Sequence, residues 1–215
     1  MRLLMLCCLL AGGLNLTAQN LQFGIGLSGG LADIHLAQPN RVIALEGFNE
    51  GERDGQPKAG IGFSINVYSR ILLNDWLAVS SAPSILFQNT RIEQLDQNGS
   101  PLDYDLYPAN IALPVALEVS PGKGQWRPNF SAGLGVLIDL ANDELPENTL
   151  RSNLLFGQLS AGISREFSKF IFRPELVYWG NIVRLNDGVL SGDPAINPAS
   201  RWNYLGLRLL FYGNR

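Results

Sequence analysis

The chain has 215 residues, 16 Lys and Arg against 19 Asp and Glu, a formal charge of −3, and 46% hydrophobic residues. That length suits one domain, and the mild acidity offers no electrostatic footprint for nucleic acid. Charged residues make up only 16% of the chain, where soluble domains carry about 25%.

The first residues read as a secretory signal. Arg2 supplies the positive start, residues 3–11 an apolar core, and residues 12–18 a small and polar approach to a cleavage site after Ala18. The apolar run is too short to cross a bilayer as a helix, which takes roughly 20 residues. Cys7 and Cys8 lie inside this core, too early for a lipid-modified cysteine. Cleavage removes both, and with them any disulfide, thiolate nucleophile or cysteine-held metal. The expected division is a signal peptide over 1–18 and one domain over 19–215.

Beyond the signal there is no long apolar run. The hydrophobic residues alternate instead. Leu21, Phe23, Ile25 and Leu27 interleave with Gln22, Gly24, Gly26 and Ser28. After a long polar stretch over 37–57, residues 58–68 set Ala59, Ile61, Phe63, Ile65 and Val67 against Lys58, Gly60, Gly62, Ser64, Asn66 and Tyr68. A tight turn over 72–75 leads to a third segment, with Leu77, Val79, Pro83, Ile85 and Phe87 against Ala78, Ser80, Ala82 and Ser84. A polar loop over 93–104, turning at Asn98-Gly99, leads to Ile111, Leu113, Val115, Leu117 and Val119 against Asn110, Ala112, Pro114, Ala116 and Glu118.

The turn over 121–124 opens a fifth strand, where Phe130, Ala132, Leu134, Val136 and Ile138 oppose Asn129, Ser131, Gly133, Gly135 and Asp139. Leu137 is its one apolar residue on the polar side. A loop over 142–152, a strand with Leu155, Leu159, Ala161 and Ile163, and a turn at Ser168-Lys169 follow. Phe170, Phe172, Leu176 and Tyr178 then oppose Arg173, Glu175 and Asn181. After a long loop over 185–200, Leu205, Leu207, Leu209 and Phe211 oppose Tyr204, Gly206, Arg208 and Tyr212. Eight strands are predicted, joined alternately by long loops and short turns, the arrangement of a membrane-spanning barrel with long loops outside and short turns in the periplasm.

The polarity of the two faces decides between lipid and water. A soluble barrel turns its apolar face inward. Here the other face is Gly, Ser, Ala and Asn, which suits the narrow lumen of eight strands; so much glycine on a wet outer face would weaken the strands. The expected fold is all-β, an eight-stranded antiparallel transmembrane up-and-down barrel in the cell outer membrane, with both mature termini periplasmic. Pro83, Pro114 and Pro174 sit awkwardly in it, because proline cannot donate to a ladder and a closed barrel has no edge. They are expected at bulges or strand ends.

Parity turns Glu118, Arg173, Glu175 and Arg208 into the lumen. Charges there must neutralise one another, so a structural network plugging the barrel is expected, and eight strands leave too little bore for a solute channel. Gly26-Leu27-Ser28-Gly29-Gly30 matches a serine-nucleophile pattern, but that motif needs a strand-to-helix elbow and a later acid and histidine. His35, with Asp33 nearby, is the only histidine; it makes a poor metal site, and a barrel hydrolase using it is the minor alternative. Trp76, Trp126, Trp179 and Trp202 fall near strand ends, where interfacial belts form, although parity turns some of them inward. No catalytic residue, cofactor or metal is assigned, and no small-molecule substrate.

Residues 108–120 (PANIALPVALEVS), 126–140 (WRPNFSAGLGVLIDL) and 172–176 (FRPEL), the last followed by Gly180, resemble the PorT family of Bacteroidetes outer-membrane barrels. The resemblance spans about residues 20–213. It implies a non-enzymatic component of type IX protein secretion and gliding motility, with outer-membrane lipid and other secretion proteins as partners. The chain departs from that family's plainest pattern in ending Tyr212-Gly213-Asn214-Arg215, so Phe211 or Tyr212 would serve as the terminal aromatic signal. A general small barrel with a structural or adhesin role is the alternative.

Overall fold

The computed structural model describes residues 21–36, 56–95, 101–106, 108–122, 124–140, 153–182 and 200–213. The signal segment and the Asn98-Gly99 turn lie outside them. The described residues form twelve strand segments: β1 (Leu21–Leu36), β2 (Gln56–Lys58), β3 (Gly60–Leu72), β4 (Leu77–Ser81), β5 (Ser84–Gln88), β6 (Thr90–Leu95), β7 (Pro101–Leu106), β8 (Ala109–Val119), β9 (Trp126–Asp139), β10 (Asn153–Glu166), β11 (Phe170–Asn181) and β12 (Ser200–Gly213).

They make eight staves. β4 and β5 follow one another along a single stave, and each remaining wall is one long strand. Every neighbouring pair is antiparallel, running β1-β12-β11-β10-β9-β8-(β4, β5)-β3, and β1 also pairs with β3, so the sheet closes. The long strands have 11 to 16 residues, enough to cross a bilayer at a barrel tilt, which takes about 9–11.

Alternation dictates which side faces where. In β3, Ile61, Phe63, Ile65 and Val67 point outward, with Ile61 71% exposed, while Gly62, Ser64, Asn66 and Tyr68 are buried in the lumen. The same outward ring continues through Leu27, Leu117, Leu134, Leu159, Leu176 and Leu207, each half exposed or more. Water would penalise so continuous an apolar belt, whereas lipid accepts it. The fold is therefore a transmembrane barrel, and its packed core is the lumen.

The prolines sit where the ladders are interrupted. β4 pairs with β8 up to Ser81↔Val115, and β5 resumes at Ser84↔Ala112, so Ala82 and Pro83 stand opposite Pro114 and Leu113 outside any strand pairing. The register is the same on both sides of the gap. Pro83 and Pro114 thus share one level, confining their missing N–H groups to a single interruption. Its carbonyls are taken up: Ser81 Oγ donates to Pro114 O at 2.6 Å, and Val67 N donates to Pro83 O at 2.9 Å. Pro174 stands at a similar two-residue gap against β10, between Gly162↔Glu175 and Arg165↔Phe172.

One expectation needs correcting. The stretch read as a polar loop from residue 93 contains strand: β6 pairs with β2 and β7, giving a three-stranded sheet on the long-loop side of the barrel. Once a hairpin leaves the lipid its outer face need not be apolar, so the alternation that marks a spanning strand is lost.

Candidate functional site in the barrel lumen

Two different fillings divide the lumen along its axis. Toward the long loops, β5, β8, β9, β10, β11 and β12 contribute an apolar plug that includes Leu86, Leu137, Phe156, Trp179, Trp202 and Tyr204, all buried. Ring centroids of Phe156 and Trp179 lie 5.2 Å apart, and those of Trp179 and Tyr204 5.1 Å. The polar ends of these rings find partners, as buried aromatics require. Trp179 Nε1 donates to Gln158 Oε1 at 3.0 Å, and Trp202 Nε1 to Gln88 Oε1 at 3.4 Å. Trp179 and Trp202 are therefore plug residues. Of the four tryptophans, Trp76 and Trp126 are the exposed pair, 53% and 57%, at the turn end where a belt would lie.

Toward the short turns the filling is ionic. The four predicted lumen charges are all there, buried and in contact. Arg173 bridges the two acids, with Nη1 2.7 Å from Glu118 Oε1 and Nε 3.1 Å from Glu175 Oε2. Arg208 closes on Glu175 from the adjacent strand, its Nε donating to Oε1 at 2.5 Å. A fifth member completes the chain: Arg70 Nη1 lies 3.0 Å from Glu118 Oε1. Sequence reading ended that strand at Tyr68; continuing its polar parity by one more step reaches Arg70.

The chain runs Arg70–Glu118–Arg173–Glu175–Arg208, with tyrosines packed on it. Tyr68 OH donates to Glu118 Oε2 at 2.7 Å and accepts from Arg173 Nη2 at 3.0 Å. Arg173 also sits 4.9 Å over the Tyr68 ring, a placement in which the ring face favours the cation. Serine pairs line the walls around it, Ser28 with Ser64 at 2.6 Å and Ser131 with Ser160 at 2.7 Å.

Glycine gives the network its room at one place in particular. A Cβ built on Gly162 would lie 2.5 Å from both Glu175 Cβ and the Pro174 carbonyl oxygen. Gly162→Ala is expected to cost about 1–3 kcal/mol, the usual penalty for overpacking. Urea unfolding in detergent micelles measures it, with Gly157→Ala, whose Cβ would meet only ordinary contacts, as the comparison.

Ser28 lies mid-strand in β1, held among hydroxyls: besides Ser64 it accepts from Tyr204 OH at 3.4 Å. The Gly26–Gly30 pattern thus runs through an extended strand with no elbow. His35 lies in β1 opposite Arg201 on β12. Among the described residues no group of three or more His, Cys, Asp or Glu is placed to hold a metal ion.

Below the ionic chain, at the short-turn end, a vestibule of about 470 Å³ opens between the turns. Gln22, Arg70, Ser120, Ser164 and Tyr212 line its interior, with Asp75, Arg127 and Glu166 also on its walls. Arg127 Nη2 and Glu166 Oε2 are paired at 3.1 Å.

An apolar outer belt around a closed, charge-filled lumen defines a transmembrane β-barrel whose interior is occupied by its own side chains. Among solved structures, the outer membrane protein OprG from Pseudomonas aeruginosa is similar at 13% identity, covering 88% of this chain and 94% of that one, with a TM-score of 0.46. Neisserial surface protein A is similar at 11%, over 87% and 95%, with a TM-score of 0.45. Ail, the attachment invasion locus protein of Yersinia pestis, is similar at 10%, over 90% and 99%, with a TM-score of 0.38. No protein-family model and no curated protein matches the chain.

Proposed function

We propose that this chain is a non-enzymatic outer-membrane barrel that acts as a fixed component of a protein-secretion apparatus of the type IX kind. The observation that carries the non-conducting part is the lumen itself: an aromatic plug stacked on a buried ionic chain leaves nothing for solutes to follow. A barrel without a bore works through its rims and its outer wall. The secretion assignment is supported by the likeness of residues 108–120, 126–140 and 172–176 to PorT-type barrels. In this reading both mature termini and the short turns face the periplasm, where they meet the rest of the machine.

Deleting the gene is expected to abolish release of type IX cargo into the medium while leaving general envelope integrity intact. Normal cargo release from the deletion strain would overturn the secretion assignment. The purified barrel in a planar bilayer is expected to give no sustained ionic current, and a stable open channel would overturn the closed-lumen reading. A second reading, a small barrel with a structural or adhesin role, is favoured by the β2-β6-β7 sheet on the long-loop side. Loss of surface attachment in a deletion strain that still secretes normally would select it.

A further inference from the structure

We propose that the short-turn vestibule is a binding site for a single oxyanion, a carboxylate or a phosphate, received by Arg70. The first ground is charge. The buried chain Arg70–Glu118–Arg173–Glu175–Arg208 holds three guanidinium groups and two carboxylates, so it carries one uncompensated positive charge. Burying such a charge without a partner is costly. Arg70 is the end of the chain that lines an open cavity.

The second ground is the geometry of its donors. Arg70 Nη1 is used twice, on Glu118 at 3.0 Å and on Tyr212 OH at 3.1 Å. Its Nε is buried and has no hydrogen-bond partner. Nε and Nη2 form the side of the guanidinium fork that receives a carboxylate or phosphate with two parallel bonds. Arg70 is itself 7% exposed and lies 5.5 Å over the Tyr212 ring, so a turn of the guanidinium is what brings its buried Nε edge to a guest in the vestibule that Arg70 lines.

The third ground is the shape and lining. About 470 Å³ exceeds a bare ion and falls in the range of small-ligand sites. Ser120 and Ser164 put hydroxyls on its walls, and both are buried. The walls also carry carboxylates: Glu166 is tied to Arg127, and Asp75 stands in the exposed turn after β3. These acids limit the guest to one anionic group.

The test is calorimetric titration of the full barrel in detergent micelles with inorganic phosphate, acetyl-dialanine and the C-terminal amide of acetyl-dialanine. Saturable binding is expected for the acid and none for the amide. Saturation by phosphate as well identifies a free oxyanion as sufficient, and saturation by the peptide acid alone identifies a polypeptide end as the source; both support the site. No saturable heat with either anion overturns it, as does equal binding of acid and amide. Arg70→Lys, which keeps a cation for Glu118 but loses the fork, is expected to weaken binding on the order of tenfold. Leu72, which lines the vestibule but is not a member of the ionic chain, is the second position: Leu72→Trp fills the cavity and is expected to abolish binding. Unchanged affinity in Leu72→Trp would overturn the location even if Arg70→Lys fails to fold.

Discussion

Replacing Glu118 by Ala is expected to lower the unfolding free energy of the barrel by about 3–5 kcal/mol, the range for breaking one side of a buried ion pair. Glu118 is 1% exposed and serves Arg70, Arg173 and the Tyr68 hydroxyl together. Its loss leaves two guanidinium groups facing each other across the lumen, with only Glu175 left to neutralise them and Arg208. Glu118→Gln keeps the shape and an acceptor for Tyr68 but not the charge, so it is expected to fall nearly as far. The combined variant E118M/R173M removes one charge of each sign and leaves Glu175 paired with Arg208. It is expected to cost less than the sum of its two single changes, because groups in one network are not additive. Urea titrations of E118M, R173M and the combined variant in phospholipid vesicles, beside Glu118→Ala and Glu118→Gln, decide this; strict additivity would show that the ionic chain is not one unit.

The second large effect belongs to the outer wall. Leu134, in the middle of β9 and 57% exposed, points into the apolar belt. Leu134→Arg is expected to destabilise the barrel in bilayers by about 2–4 kcal/mol, the cost of a cation on the lipid face near the midplane. The same change on a wet surface would be nearly neutral. Equal stability of Leu134→Arg and the parent in vesicles would mean that this wall faces water, and the membrane reading would fall with it. Trp126→Ala, at the rim of the same strand, is the internal comparison and is expected to lose less than Leu134→Arg.

Much of the barrel can be read directly from residue order. Residues 58–68, and 129–139 apart from Leu137, alternate because one side of each strand meets hydrocarbon and the other meets a crowded lumen, and those environments accept different residues. Parity alone puts Glu118, Arg173, Glu175 and Arg208 on one side. Arg70 escaped because Ser69 breaks the apolar parity just before it, so the strand looked finished. β6 and β7 escaped because a hairpin beyond the lipid loses the contrast that makes alternation visible.

The plug was half legible. Leu137 stands out as an apolar residue on the polar parity, and it is one wall of the plug. Trp179 and Trp202 follow the same logic, since their inward parity outweighs their nearness to strand ends. Pairings between distant segments could not be read at all. Nothing local says that Pro83 and Pro114 share a level, or that Gln22, Arg70, Ser120 and Ser164 converge on one vestibule; both depend on register between staves.

The ionic chain also has an order in time. Glu175 and Arg208 face each other on the neighbouring strands β11 and β12, so that contact is available as soon as the final hairpin pairs. Glu118 and Arg173 belong to β8 and β11, strands separated in the sheet by β9 and β10, and meet only when the sheet has curled. Arg70, on β3, is separated from Glu118 by the β4 stave alone, so that contact needs only the pairing of β3, β4 and β8, and the link between Glu118 and Arg173 is the one that spans the lumen. The cross-lumen link of the chain is thus a latch that catches last. Interactions absent from the transition state govern how fast a protein comes apart rather than how fast it assembles. Loss of Glu118 should therefore shorten the lifetime of the inserted barrel while leaving its rate of assembly nearly unchanged.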